Sequence, residues 1–211
     1  MKDRSEISVM LGEAGILFAI TLIAGILLGF VHELTGEPIR VRQAEAVQEA
    51  CRAVFPDAAA RGMEFREYTY TPDVELTKRL DESGVEIGTV YEAVDGTGAF
   101  CGYVVEAVSS EGYGGDIVLY VGVAADGSVG GVSITDISET AGLGMEAPKV
   151  LTPQFAGKRV ESFSYTKSGS RADSEVDAIS GATVTTKAVV NAVNGGLETA
   201  RILLQGGGAD E

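Results

Sequence analysis

From Ala14 to Val31 the chain runs 18 residues without a charge, apolar on every side. At about 1.5 Å per residue a helix of that length spans ~27 Å, just enough for a bilayer core. Glycines at 15, 25 and 29 interrupt this surface, and Gly25 to Gly29 has the small-x-x-x-small spacing that permits close helix–helix contact. A cleaved signal peptide is the competing reading. The preceding tail mixes Lys2 and Arg4 with Asp3, Glu6 and Glu13, and neither an Ala-x-Ala site nor a lipobox cysteine follows. The expectation is an uncleaved anchor. Lys2 and Arg4 on one side balance Arg40 and Arg42 on the other, so charge leaves its orientation open.

Beyond a short link, Pro38 is expected to open a second helix, because proline suits a first helical position. Val47, Ala50, Cys51 and Val54 then recur at helical spacing up to Phe55-Pro56. Strand-like runs follow over 65–70, 86–94, 99–108, 117–123 and 129–134, with a further candidate over 159–165. Asp95-Gly96-Thr97-Gly98 and Asp126-Gly127 read as hairpin turns between them. Val189, Val193, Leu197 and Leu204 lie near one face of a final helix. Helix, strands, helix predicts an α+β domain carried on a transmembrane stalk. The expected division is an anchor over 1–32, a membrane-proximal mixed region over 33–98, a ligand-binding domain over 99–205 and a loose tail over 206–211.

The final helix is preceded by Asp177-Ala178-Ile179-Ser180-Gly181-Ala182-Thr183. Thr183 therefore falls at a helix N-terminus, where unpaired N–H groups and the helix dipole favour a phosphate. Gly181 and Ala182 put almost no side chain in the way of a bulky group. An ordinary threonine N-cap after a turn satisfies the same pattern. Thr185, Thr186 and Lys187 follow in the first turn and are within reach of phosphate oxygens, although Lys187 reads better as a solvated charge.

Composition narrows the chemistry. A net charge of -15 over 211 residues argues against nucleic acid and against a polybasic membrane patch. His32 is the sole histidine and sits at the edge of the apolar segment, which removes a Ser-His-Asp triad and a histidine-rich metal site. Cys51 and Cys101 are too few for a disulfide framework and form no Cys-x-x-Cys. Two buried thiols and one bridge both remain open for them. No Walker or Rossmann glycine fingerprint is present.

Two further segments give the heptad company: Gly112-Tyr113-Gly114-Gly115 before the 117–123 strand, and Glu139-Thr140-Ala141-Gly142-Leu143-Gly144 after the next one. Together with Asp-x-x-Ser-Gly-Ala-Thr they resemble the FMN-binding domain of the G subunit of the Rnf electron-transport complex. That protein's relative is the C subunit of the sodium-pumping NADH:quinone reductase. The resemblance runs from about Gly102 to the end of the last helix. It implies FMN joined through its phosphate to Thr183 by a separate flavin transferase, with Asp177, Ser180, Gly181 and Ala182 as the rest of the acceptor site. It also implies Glu139, Thr140, Gly142, Leu143 and Gly144 near the ring and Thr186 near the phosphate. Without it, the 139–144 loop would pass as a plain glycine-rich turn. Met145, Tyr113 and Tyr120 are candidate ring contacts, with Met145 equally a plain core methionine and Tyr120 better read as an ordinary strand tyrosine.

In the resembling families the loop usually reads His-x-Glu-Thr-Pro-Gly-Leu-Gly. Here the histidine position is Ile137 and the proline is Ala141. The implied function is a membrane-anchored flavoprotein subunit that relays electrons among the other membrane subunits of an Rnf-type complex. Such a complex couples electron transfer between reduced ferredoxin and NAD to sodium or proton movement. The soluble domain is then expected outside the cytoplasm. The alternatives are the corresponding subunit of the NADH:quinone sodium pump, whose chain usually carries extra segments, and an anchored assembly module without flavin.

Overall fold

The computed structural model describes residues 3–72 and 74–206. It divides into two units, residues 1–46 and 47–211. The first is made of helix α1, which runs over Asp3–Ala53 and so continues into the second unit. Within α1, Gly12–His32 is long and apolar enough to cross a membrane, and none of it is buried in the protein. The link and fresh helix start expected at Pro38 are absent, because α1 passes through that residue without a break. A proline inside a helix removes one backbone hydrogen bond, and here the helix continues on both sides of it despite Thr35 and Gly36 just before. The expected tail lies outside the described residues except for Gly206, which ends the last helix.

The second unit is built on one antiparallel meander in the order β1-β2-β3-β4-β5. Its strands are β1 (Glu64–Tyr68), β2 (Val85–Val94), β3 (Phe100–Ser109), β4 (Ile117–Ala124) and β5 (Val129–Ile137). Strands expected in the membrane-proximal region and in the ligand-binding domain therefore share one sheet, with β2 paired to β3. Both expected hairpin turns form. In each, the aspartate accepts from the residue two ahead: Asp95 from Thr97 N–H at 2.9 Å, Asp126 from Ser128 N–H at 2.9 Å. The Thr97 hydroxyl and N–H and the Ala99 N–H hold the Asp95 carboxyl at about 2, well below its ordinary value.

Alternation along the strands separates two cores. Ile117, Leu119, Val121 and Val123 of β4 face the larger core, shared with α2 (Val74–Glu82) and α4 (Thr183–Gly206). Tyr120 faces the smaller one, with Ala50, Cys51, Val54 and Phe55 at the end of α1 and just beyond it. There the chain comes so close to the sheet that a Cβ on Gly122 would lie 2.7 Å from the Val54 carbonyl oxygen. Cys51 and Cys101 are both buried here and both free. Burial pushes the Cys51 thiol up to about 12, so it is neutral at physiological pH.

Between β5 and α4 the chain is mostly loop, with α3 (Ala147–Val150) and a parallel pair of short strands, β6 (Ser164–Thr166) and β7 (Glu175–Asp177). The strand expected over 159–165 is thus confined to its last residues.

Candidate functional site

Three segments far apart in sequence converge beside the start of α4. A cavity of about 560 Å³ is lined by Tyr113, by Glu139, Thr140, Leu143 and Gly144, and by Gly181, Ala182, Thr183, Val184 and Thr185. Its size is that of a small-molecule or cofactor site.

The N-terminal end of α4 forms one wall. β7 ends at Asp177, Gly181 turns the chain with φ +80°, and the helix begins at Thr183. The Thr186 N–H donates to the Ala182 carbonyl at 3.0 Å, so the N–H groups ahead of it are the orphan donors of a helix start. The neighbouring threonines differ in what their hydroxyls do. The Thr186 hydroxyl donates to the Ala182 carbonyl at 2.8 Å and accepts from the Ile179 N–H at 3.2 Å, fully buried. It braces the turn and is not part of the lining. Thr185 is buried against the loop, its Oγ1 only 2.7 Å from where a Cβ on Gly144 would stand. Thr183 is half-buried on the lining, and among the described residues its hydroxyl makes no hydrogen bond.

Asp177 and Ser180 also stand off the lining. The Asp177 carboxylate accepts from the Ser170 N–H at 2.6 Å, and its own N–H donates to the Gln154 side chain at 2.6 Å. It thereby fixes the approach to the turn. Ser180 is exposed.

The 139–144 loop forms the opposite wall. Its turn closes with Leu143 N–H and Met145 N–H both donating to the Thr140 carbonyl, at 3.1 and 3.2 Å. Gly142 supplies the left-handed residue of this turn, φ +76°, and stands off the lining itself. Leu143 reaches across, its Cδ2 3.1 Å from the position of a Cβ on Gly181. Met145 is exposed beside the lining. Ile137, where the resembling families carry histidine, pairs with Ile117 and packs against the larger core.

Of the two candidate tyrosines, Tyr113 lines the cavity with its side chain largely exposed. Tyr120 is buried in the smaller core, where its hydroxyl donates to Glu106 at 3.0 Å. Burial and that carboxylate push its phenol far above the ordinary range, and it takes no part in the cavity. Lys187 pairs with Glu111 at 3.0 Å, as a surface charge would. Val184 enters the lining unforeseen. Its only sequence signal was its place directly after the heptad.

An FMN-binding domain family matches residues 112–198, which contain the whole lining. The G subunit of the Na(+)-translocating ferredoxin:NAD(+) oxidoreductase complex of Acetobacterium woodii is 31% identical over 85% of this chain and 86% of its own. The G subunit of the ion-translocating oxidoreductase complex of Methanosarcina acetivorans is 32% identical over 94% of this chain and 96% of its own. The crystal structure of Shewanella oneidensis NqrC superposes with a TM-score of 0.57 at 18% identity, covering 79% of this chain and 99% of that one. This last likeness is one of fold. With relatives of that identity along nearly its whole length, the chain belongs to the family of G subunits of ion-translocating oxidoreductase complexes and carries an FMN-binding domain.

Proposed function

We propose that this chain is a single-pass membrane subunit that relays electrons through an FMN held covalently at Thr183, within an Rnf-type ferredoxin:NAD oxidoreductase complex. The observation that carries the attachment site is the Thr183 hydroxyl. It stands at the cavity wall, uncommitted to any hydrogen bond among the described residues, on the last residue of the acceptor heptad. Thr185 is buried and the Thr186 hydroxyl is already committed.

The residues present fit such a group. The helix start offers orphan N–H donors to a phosphate. Leu143, Ala182, Val184 and Tyr113 offer apolar and aromatic surface to a flat ring. The flavin supplies the one- and two-electron chemistry; the protein supplies binding, orientation and electrostatics. Esterification is the work of a separate flavin transferase, to which the 177–183 segment is presented. The G-type relatives favour the ferredoxin:NAD complex over the NADH:quinone pump, since the NqrC likeness at 18% identity bears on fold alone.

Coexpression with a flavin transferase and peptide mass spectrometry should place the added FMN mass on Thr183. Thr183→Val keeps the side-chain shape and removes the oxygen, so it should abolish attachment in a chain that still folds. Membranes carrying it should lose ferredoxin-driven NAD reduction. Undiminished covalent flavin in Thr183→Val would show that the site is wrong.

The Gly12–His32 segment serves as the anchor, with the FMN domain outside the cytoplasm, as in the family this chain resembles. Protease added to intact spheroplasts should digest that domain. Protection until lysis would put it on the cytoplasmic side.

A further inference from the structure

The two loops that meet at the cavity are joined by one side chain. Glu139 Oε1 accepts from the Tyr113 N–H at 2.7 Å and from the Gly114 N–H at 3.4 Å. Among the described residues, no lysine, arginine or histidine pairs with this carboxylate. Its partners are backbone donors, and such charge-assisted bonds are stronger than neutral ones. The turn it holds has no room for side chains facing it. A Cβ on Gly114 would lie 2.0 Å from the Ser138 carbonyl oxygen, and one on Gly112 would lie 3.1 Å from Glu139 Oε1. Glycine is therefore needed for the turn to sit flat on residues 138 and 139. On the other side of Glu139, a Cβ on Gly144 would stand 2.8 Å from Oε2. The carboxylate is thus wedged between the turn that carries Tyr113 and the loop that carries Leu143.

We infer that Glu139 is a positioning residue: its carboxylate latches the Gly112–Gly115 turn and so holds the Tyr113 ring against the face of the bound flavin. This rests on the reading of the cavity as the FMN site. Tyr113 is 75% exposed and lines the cavity, so little other than its backbone anchorage fixes its place. Offset stacking on a flat heterocycle gives that ring a partner. Glu139 acts through the turn and holds Tyr113 by two N–H groups.

The latch can be read without flavin. In the full-length chain in detergent, isolated without a flavin transferase, the Tyr113 and Gly114 amides should be protected from hydrogen exchange. Glu139→Ala should abolish that protection. Glu139→Gln, which keeps an acceptor oxygen, should retain most of it. Equal protection in Glu139→Ala would overturn the latch.

The placement of Tyr113 is read by emission per bound flavin after coexpression with the transferase. A phenol in contact with a flavin quenches its fluorescence, and a phenyl ring does so far less. Tyr113→Phe and Glu139→Ala should each brighten the flavin several-fold, the first by removing the phenol and the second by releasing it. The double variant should be no brighter than Tyr113→Phe alone, the mark of two residues acting through one contact. Glu139→Gln should stay near the parent. Unchanged emission in Tyr113→Phe would overturn the stacking. Fully multiplicative brightening in the double variant would overturn the coupling. A parent chain that takes up no flavin would count against the FMN reading alone, and amide protection would then decide the latch.

Discussion

The Gly12–His32 stretch of α1 and the Thr183–Gly206 helix α4 are both long and rich in apolar residues, yet they dispose of that surface in opposite ways. In α4 the apolar residues fall on one side: Val189, Val193 and Leu197 are fully buried against the sheet, while Lys187 is exposed. In α1 the apolar residues surround the axis, and Leu22, Leu27 and Phe30 are all exposed. A one-sided stripe needs a sheet to cover it. An all-round apolar surface of this length suits a hydrocarbon surrounding. The distribution of apolar residues around the two helices thus separates a core element from a candidate membrane span.

The sharpest test of that contrast removes one helix. A chain lacking residues 1–32 should move entirely from the membrane pellet to the soluble fraction. Its FMN domain should melt as before, because the Gly12–His32 segment buries nothing in the protein. The full-length chain should survive carbonate washing in the pellet. Retention of the shortened chain in washed membranes would show that the second unit carries its own membrane attachment.

Next in size is a matched pair of leucines. Leu197 is 0% exposed and Leu27 is 60% exposed. Leu197→Ala should cost about 2–5 kcal/mol, the range for opening a cavity in a packed core. Leu27→Ala should leave the melting of the domain where it was. Chemical denaturation in detergent distinguishes them. Equal losses from the two would mean that the α1 span packs on something within the chain.

What the sequence revealed of this molecule follows from where the signals are strong. β2 to β5 were legible because they are runs rich in Val, Ile, Tyr and other strand-favouring residues, and Asp-Gly turns close two of their three connections. α2 was not, since Leu76 and Leu80 are its only buried residues among the charges Glu75, Lys78, Arg79, Asp81 and Glu82. β6 and β7, three residues each, are too short for any period to register. Pro38 misled because a proline favours a first helical position but can also sit inside a helix at the cost of one backbone hydrogen bond, as it does in α1. In the candidate site, local pattern put Thr183 at a helix start, where it lies. It could not distinguish Thr186 from Thr183. Successive helical residues are rotated by about 100°, and that rotation turns the Thr186 hydroxyl inward onto Ala182 and Ile179. The approach of Tyr113, Glu139 and Leu143 to α4 is long-range packing, and only the family resemblance pointed to it.

The smallest effect comes from the glycines, which the two helices also use differently. In α4, a Cβ on Gly196 would lie 2.9 Å from Val121 Cγ2 and 3.1 Å from Val121 Cβ. Gly195 stands equally near Leu80 and Val85. Here glycine lets the helix settle onto β2, β3 and β4. In α1, a Cβ on Gly25 or Gly29 would meet nothing within 4 Å. Two opposing terms act on Gly196→Ala. Alanine improves helix propensity by about 1 kcal/mol, and overpacking a tight contact costs about 1–3 kcal/mol. Val121 is β-branched, fully buried and held in the middle of β4, so it has little freedom to yield. The packing cost should therefore win, with a net loss of roughly 1 kcal/mol in the stability of the domain. Gly25→Ala and Gly29→Ala should leave that stability unchanged. A stabilised Gly196→Ala would show that α4 has slack against the sheet, and the distinction drawn between the two helices would then hold for their leucines but not for their glycines.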